Sequence, residues 1–199
     1  MLTAEDAVLA AGLSGDVLVP IRGAGGQVLV LADVETEEAE RRRRLGIGAV
    51  SDRAILGFLN TLPFGLDVPL DALDPVAVAM AVDEVDSVVA VHGGMARRTY
   101  RPPVRLVAVL GLAAAGDVAL RRVGPFASDA RRIVGADRVS SRVLERAGRL
   151  GVGVIACDTL RLPPQRVVAV GDAPHWRLCE EVFAASSRSG ANQASTPSR

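Results

Sequence analysis

The alternation of apolar and polar positions changes period several times along the chain, and each change marks an element. Residues 3–13 (TAEDAVLAAGL) predict a short helix, with Thr3 at its N-cap and Asp6 in the capping-box place three residues on. Residues 16–22 and 27–34 alternate as two strands around Gly23, Ala24, Gly25 and Gly26, which predicts a hairpin. Pro20 lacks an amide hydrogen, so the first strand belongs at an edge or a bulge. Residues 35–46 predict a helix on which Glu37, Glu38 and Glu40 stand four positions before Arg41, Arg42 and Arg44, the favoured order for ion pairs. That pattern describes a salt-bridged, solvated helix; contact of the four-arginine run with phosphate is the alternative. Residues 51–62 predict a further helix, capped by Ser51.

Residues 63–75 are rich in Pro, Gly and Asp and form the best boundary in the chain. Beyond it the pattern predicts a helix over 76–85, a strand over 87–92, a turn with a weakly marked strand over 93–103, and a strongly apolar, central strand over 104–112. Residues 113–134 are helical in outline but interrupted at Gly124 and Pro125. An amphipathic helix follows over 137–151, with room for a short strand at Arg138–Ser140, then strands over 152–158 and 166–170, and a helix over 174–186 that opens on Pro174. From 187 to 199 the sequence is small, polar and without period, as in a disordered tail. The expected organisation is therefore an α+β segment over 1–72, an α/β domain over 73–186 and the tail.

Composition sharpens the fold class. The chain has 199 residues, of which 49% are apolar and only 3% aromatic, so the core must be built from Val, Leu, Ile and Ala. Such a core favours buried strands under Ala-rich helices, an α/β fold with a mixed sheet flanked by helices in three layers. No apolar run reaches the roughly 18 residues that a membrane helix needs. With two cysteines and no secretory leader pattern, the cytoplasm is the expected compartment.

All 23 basic residues are arginine. A phosphate-binding loop of the Walker type, which relies on a lysine, is thereby excluded. So is Schiff-base chemistry, because a guanidinium does not deprotonate near neutral pH. Net charge is zero, so no global field draws the chain to nucleic acid or to an anionic membrane, although a local arginine patch can still do so.

Three constellations carry candidate chemistry. Asp83, Glu84 and Asp86 precede His92, which shares a strand face with Asp86; together they suit a divalent metal, or are a charged helix end and a polar loop. Cys157 and Asp158 close one strand while His175 and Cys179 share a helix face, a donor set zinc accepts, but without the spacing of a zinc motif. Arg97, Arg98 and Arg101 beside Tyr100 suit a nucleic-acid surface, with one ring for base stacking, or a solvated face. The glycines at 23–26 and 46–48 do not form a dinucleotide fingerprint, and no G-x-S-x-G elbow is present.

The order of elements from about 76 to 170 resembles the restriction-endonuclease-like superfamily, the PD-(D/E)XK nucleases. Three pieces carry the resemblance: DSVVAVHGG (86–94), VRLVAVLGLAAAGDVALRR (104–122), and ADRV with LERAGRLGVGVIACD (136–158). The resemblance implies that Asp86 is the first metal-binding aspartate, on a strand beside 104–112. It also implies an E-x-K in 104–112, where Ala108 and Leu110 stand instead. A degenerate, non-catalytic copy that binds nucleic acid or a protein partner, or assembles with itself, is the expectation. A metal-dependent enzyme acting on a phosphorylated small molecule or nucleic acid through Asp83, Glu84, Asp86 and His92 is the alternative. The leading expectation needs no cofactor, and the alternative needs a divalent metal.

Overall fold

The computed structural model describes residues 2–23, 25–84, 88–126, 130–165 and 173–194. The chain divides into two units, one of residues 1–34, 104–170 and 185–199, the other of residues 35–103 and 171–184.

The first unit holds α1 (Ala4–Ala10), β1 (Val17–Gly23), β2 (Gly26–Val34), β6 (Val104–Ala115), α5 (Gly116–Val123), β7 (Arg131–Arg138), α6 (Ser141–Arg149), β8 (Gly153–Ala156) and β9 (Thr159–Leu162). Its six strands form one mixed sheet in the order β1-β2-β6-β7-β8-β9. The pairs β6–β7 and β7–β8 are parallel, as crossovers through α5 and α6 require; the other pairs are antiparallel. Pro20 lies on β1, an edge strand, where a missing amide hydrogen breaks no ladder.

Both faces of this sheet are covered. Leu110 and Ile133 sit opposite each other and join Leu31, Ile155, Leu2 and Ala7 of the α1 region in one buried cluster. A Cβ built at Gly111, one position along β6 and so on the other face, would lie 2.6 Å from the Ala119 carbonyl oxygen of α5. The chain is therefore α/β. At the start of α1, Thr3 and Asp6 close the expected capping box: the Asp6 amide donates to Thr3 Oγ1 at 3.1 Å and the Thr3 amide to Asp6 Oδ2 at 3.3 Å.

The second unit holds α2 (Thr36–Leu45), α3 (Arg53–Thr61), β3 (Asp67–Pro69), a 3₁₀ turn (Leu70–Ala72), α4 (Pro75–Glu84), β4 (Val89–His92), β5 (Met95–Arg98) and the first part of α7 (Ala173–Ala194). Its strands form an antiparallel sheet in the order β3-β5-β4. Ile55, Leu56 and Leu59 bury one face of α3 in a core with Val89, Ala96, Tyr100 and Trp176.

Several expectations change. Residues 63–75 lie inside the second unit and carry β3 and the 3₁₀ turn. The N-cap of α3 is Asp52, not Ser51: its carboxylate accepts from the Ala54 and Ile55 amides at 2.6 and 3.3 Å. Alanines at 113–115 extend β6, and 131–134 open β7, because parallel pairing of Ala113 with Ala136 and Ile133 with Leu110 overrides the helical preference of an Ala-rich stretch. Of the short strand sought at 138–140, Arg138 is strand, as the last residue of β7, whereas Ser140 caps α6. α7 runs to Ala194, past the start set for the tail, and residues 187–194 contain one glycine and no proline. The strand expected over 166–170 lies outside the described residues.

Of the three nuclease-like pieces, two form β6–α5 and β7–α6–β8 of the larger sheet. The third does not join them. β4 pairs with β5 in the smaller sheet, because a two-residue Gly93-Gly94 turn, both with positive φ, folds it onto its neighbour in sequence; β6 pairs with β2 and β7. No helix among the described residues is long and apolar enough to cross a membrane.

Candidate functional site

Polar groups converge in the second unit at two levels, one buried and one open. The buried level starts on α2. Glu38 and Arg42 lie one turn apart, and Arg42 Nε donates to Glu38 Oε1 at 2.8 Å. Arg41 Nε donates to the other oxygen of Glu38 at 2.7 Å. Arg42 then reaches α7: its Nη1 and Nη2 donate to Glu180 Oε2 and Oε1 at 2.8 and 2.9 Å. Nη2 also donates to the Arg101 carbonyl at 3.2 Å and Nη1 to the Gly48 carbonyl at 3.4 Å. A guanidinium has five N–H donors, and all five of Arg42 are thus used.

Glu180 accepts two further hydrogen bonds, from the Val50 amide at 2.9 Å and the Tyr100 hydroxyl at 2.8 Å. Gly46 makes this possible. It ends α2 in the left-handed region (φ 68°), and the chain after it turns back to offer Gly48 and Val50. Glu38, Arg42, Tyr100 and Glu180 are all buried, so the solvated helix expected over 35–46 in fact turns one Glu–Arg pair inward.

Electrostatics follow from this packing. Burial pushes the Glu38 carboxyl up, but hydrogen bonds from Arg41 and Arg42 outweigh it and hold Glu38 below the usual range. Burial works against the Arg42 cation, yet Glu180 and Glu38 raise its affinity for the proton. Burial, and next to it the Glu180 charge, drives the Tyr100 phenol far above its ordinary value, so it stays a hydrogen-bond donor. With two acidic and two basic members, counting Arg41, the cluster is balanced in charge. It holds the unit together, and Arg42 has no donor left for a ligand.

The open level is a cleft of about 1260 Å³ between α2, the loop after it and the end of β5. Arg41, Arg44, Arg97, Arg98, Arg101 and Phe64 line it, and so do the acidic residues Glu37, Glu38, Glu40 and Asp52. Phe64 is held by its backbone, which bridges to Arg98, while Gly65 (φ 72°) turns the chain away. The ring itself is 50% exposed, although half of an exposed phenyl ring forfeits part of the roughly 1.5–3 kcal/mol that full burial returns. The Arg98 and Arg101 guanidiniums lie 5.6 and 5.3 Å from its centre. Arg98 also lies 5.0 Å from the Trp176 ring and donates Nη1 to the Leu59 carbonyl at 3.1 Å. Its Nε is buried and finds no acceptor among the described residues. Burial lowers the Arg98 pKa, with Tyr100 opposing, but a guanidinium remains charged at neutral pH.

No family model, no curated protein and no solved structure matches the chain.

Of the four residues expected to meet nucleic acid, three line the cleft and one does not. Arg97 forms a two-point pair with Asp67 at 2.7 and 2.6 Å, both exposed. Arg98 and Arg101 face Phe64. Tyr100 is the correction: strand alternation after Ala96 and Arg98 turns it inward, onto Glu180 and Trp176, where a base has no access. Phe64 supplies the exposed ring in its place. The sequence carried one sign of it, an aromatic between Pro63 and Gly65 in a turn, in a chain with few rings. Arg42 and Glu180 gave no sign of their pairing.

Of the other candidates, His175 and Cys179 are the pair seen to meet among the described residues. Asp83 and Glu84 end the backbone of α4, and Asp86 lies outside the described residues. His92 is exposed on β4, opposite Met95. Cys157 and Asp158 form the two-residue turn between β8 and β9, both with positive φ, and Cys157 Sγ donates to the Asp137 carbonyl at 3.2 Å. They belong to the first unit. His175 and Cys179, in the second, do share a face of α7, with Nε2 and Sγ 3.6 Å apart. Among the described residues no group of three His, Cys, Asp or Glu is placed to hold a metal ion.

Proposed function

We propose that the chain is a non-catalytic binding module whose second unit takes a nucleic-acid strand, through its phosphates, into the cleft beside Phe64. Arg98 carries the proposal. Arg98 lines the cleft with a charge that no described residue pairs, and a phosphate beside it supplies the missing counter-charge. Arg44 and Arg101 are exposed at the same cleft and add further contacts.

Because the net charge is zero, affinity rests on these local arginines rather than on the whole field. Fluorescence anisotropy of a labelled oligothymidine strand, titrated at graded salt, tests this. Three arginine contacts predict log K falling against log salt with a slope of about −2 for a single strand. No binding at low salt, or binding indifferent to salt, contradicts the proposal.

A further inference from the structure

Phosphate contacts alone do not account for the exposed ring at position 64. Resting on the binding reading above, we infer that Phe64 is a stacking platform for an unpaired nucleobase, so that the cleft selects single-stranded over duplex nucleic acid. Three observations carry this. The ring is half exposed although its backbone is fixed by the bridge to Arg98, so its position is set without being buried. It is flanked by two guanidiniums of unequal freedom. Arg98 is held by the Leu59 carbonyl and the Trp176 ring, whereas Arg101 is exposed. Arg101 lies 5.3 Å from the ring centre, a distance at which its planar group occupies the space a base takes when it stacks.

The exchange that follows is simple. A base displaces Arg101 from Phe64, and Arg101 turns to the adjacent phosphate. Arg98 stays against the ring and keeps its charge at the cleft. A base paired within a duplex cannot present its face to the ring, so duplex binding forfeits the stacking contribution. Sequence tolerance follows, since every base has such a face.

The test compares three labelled probes with the intact chain: oligothymidine, an abasic strand of equal length, and a duplex. The abasic strand keeps the phosphates and lacks the bases. Oligothymidine should bind about tenfold more tightly than either other probe. Phe64→Leu should remove that margin while leaving the abasic affinity unchanged, and Phe64→Trp should keep it. Equal affinity for oligothymidine and the abasic strand, or a margin that survives Phe64→Leu, overturns the stacking role and leaves phosphate binding standing. A duplex bound as tightly as oligothymidine overturns the strand selectivity. Absence of binding to all three overturns both the stacking role and the binding reading beneath it.

Discussion

Arg42 and Glu180 lie 138 positions apart in sequence and meet as a two-point ion pair, with both side chains buried and N–O distances of 2.8 and 2.9 Å. The pair joins α2 to α7 inside the second unit. Removing one partner strands a charge without water, so Arg42→Met and Glu180→Gln should each destabilise by about 3–5 kcal/mol. The double variant should lose less than the two losses together, by about 1 kcal/mol or more. Trp176, the one tryptophan of the chain, sits in this core, so its fluorescence in urea reports the unit directly. Additive losses would contradict a direct pair.

Tyr100 donates to a carboxylate in that same buried cluster. Tyr100→Phe keeps the ring against Trp176 and removes the hydroxyl. The expected loss is about 1.5–3 kcal/mol, the worth of a hydrogen bond to a buried charge. An unchanged urea midpoint would place the hydroxyl outside the network.

Glu38 has its folded pKa held below the ordinary value by Arg41 and Arg42. Between the folded and unfolded values the unfolded chain binds more protons, so stability rises with pH there. Its contribution is complete above the usual glutamate range of about 4.3 and is lost as the pH falls through the folded value. Glu38→Gln should therefore flatten the acid limb of a Tm-against-pH curve. An acid limb as steep as that of the parent chain would contradict the assignment.

Asp52, not Ser51, caps α3. Asp52→Ala should cost about 1 kcal/mol and Ser51→Ala a few tenths at most. The reverse order in thermal melts would return the cap to Ser51.

The local pattern was enough for the elements whose neighbours in sequence are also their neighbours in space. The Thr3–Asp6 box, the β1–β2 hairpin and the Glu38–Arg42 pair of α2 are of this kind. Where a distant partner decides, the pattern misleads. Ala113–Ala115 belong to a strand because β7 pairs with them, and β4 is drawn to β5 rather than to β6 by a two-glycine turn. The site divides in the same way. Arg98 and Arg101 were visible as an arginine cluster. That Tyr100 faces inward depends on Glu180, 80 positions away, and that Phe64 stands beside the cluster depends on a bridge between a turn and the end of β5.

Arg98 is the residue on which binding and stability should part. Arg98→Gln removes a half-buried charge that no described residue pairs, against the loss of its hydrogen bond to the Leu59 carbonyl and its contacts with the Phe64 and Trp176 rings, so the fold should lose about 1 kcal/mol at most while the strand loses a contact. The most direct test of the cleft is the salt dependence of oligothymidine binding to the parent chain and to Arg98→Gln. The account predicts weaker binding and a slope of log K against log salt that is shallower by about 0.7, one phosphate contact on a single strand. The same affinity and the same slope in both proteins would contradict it.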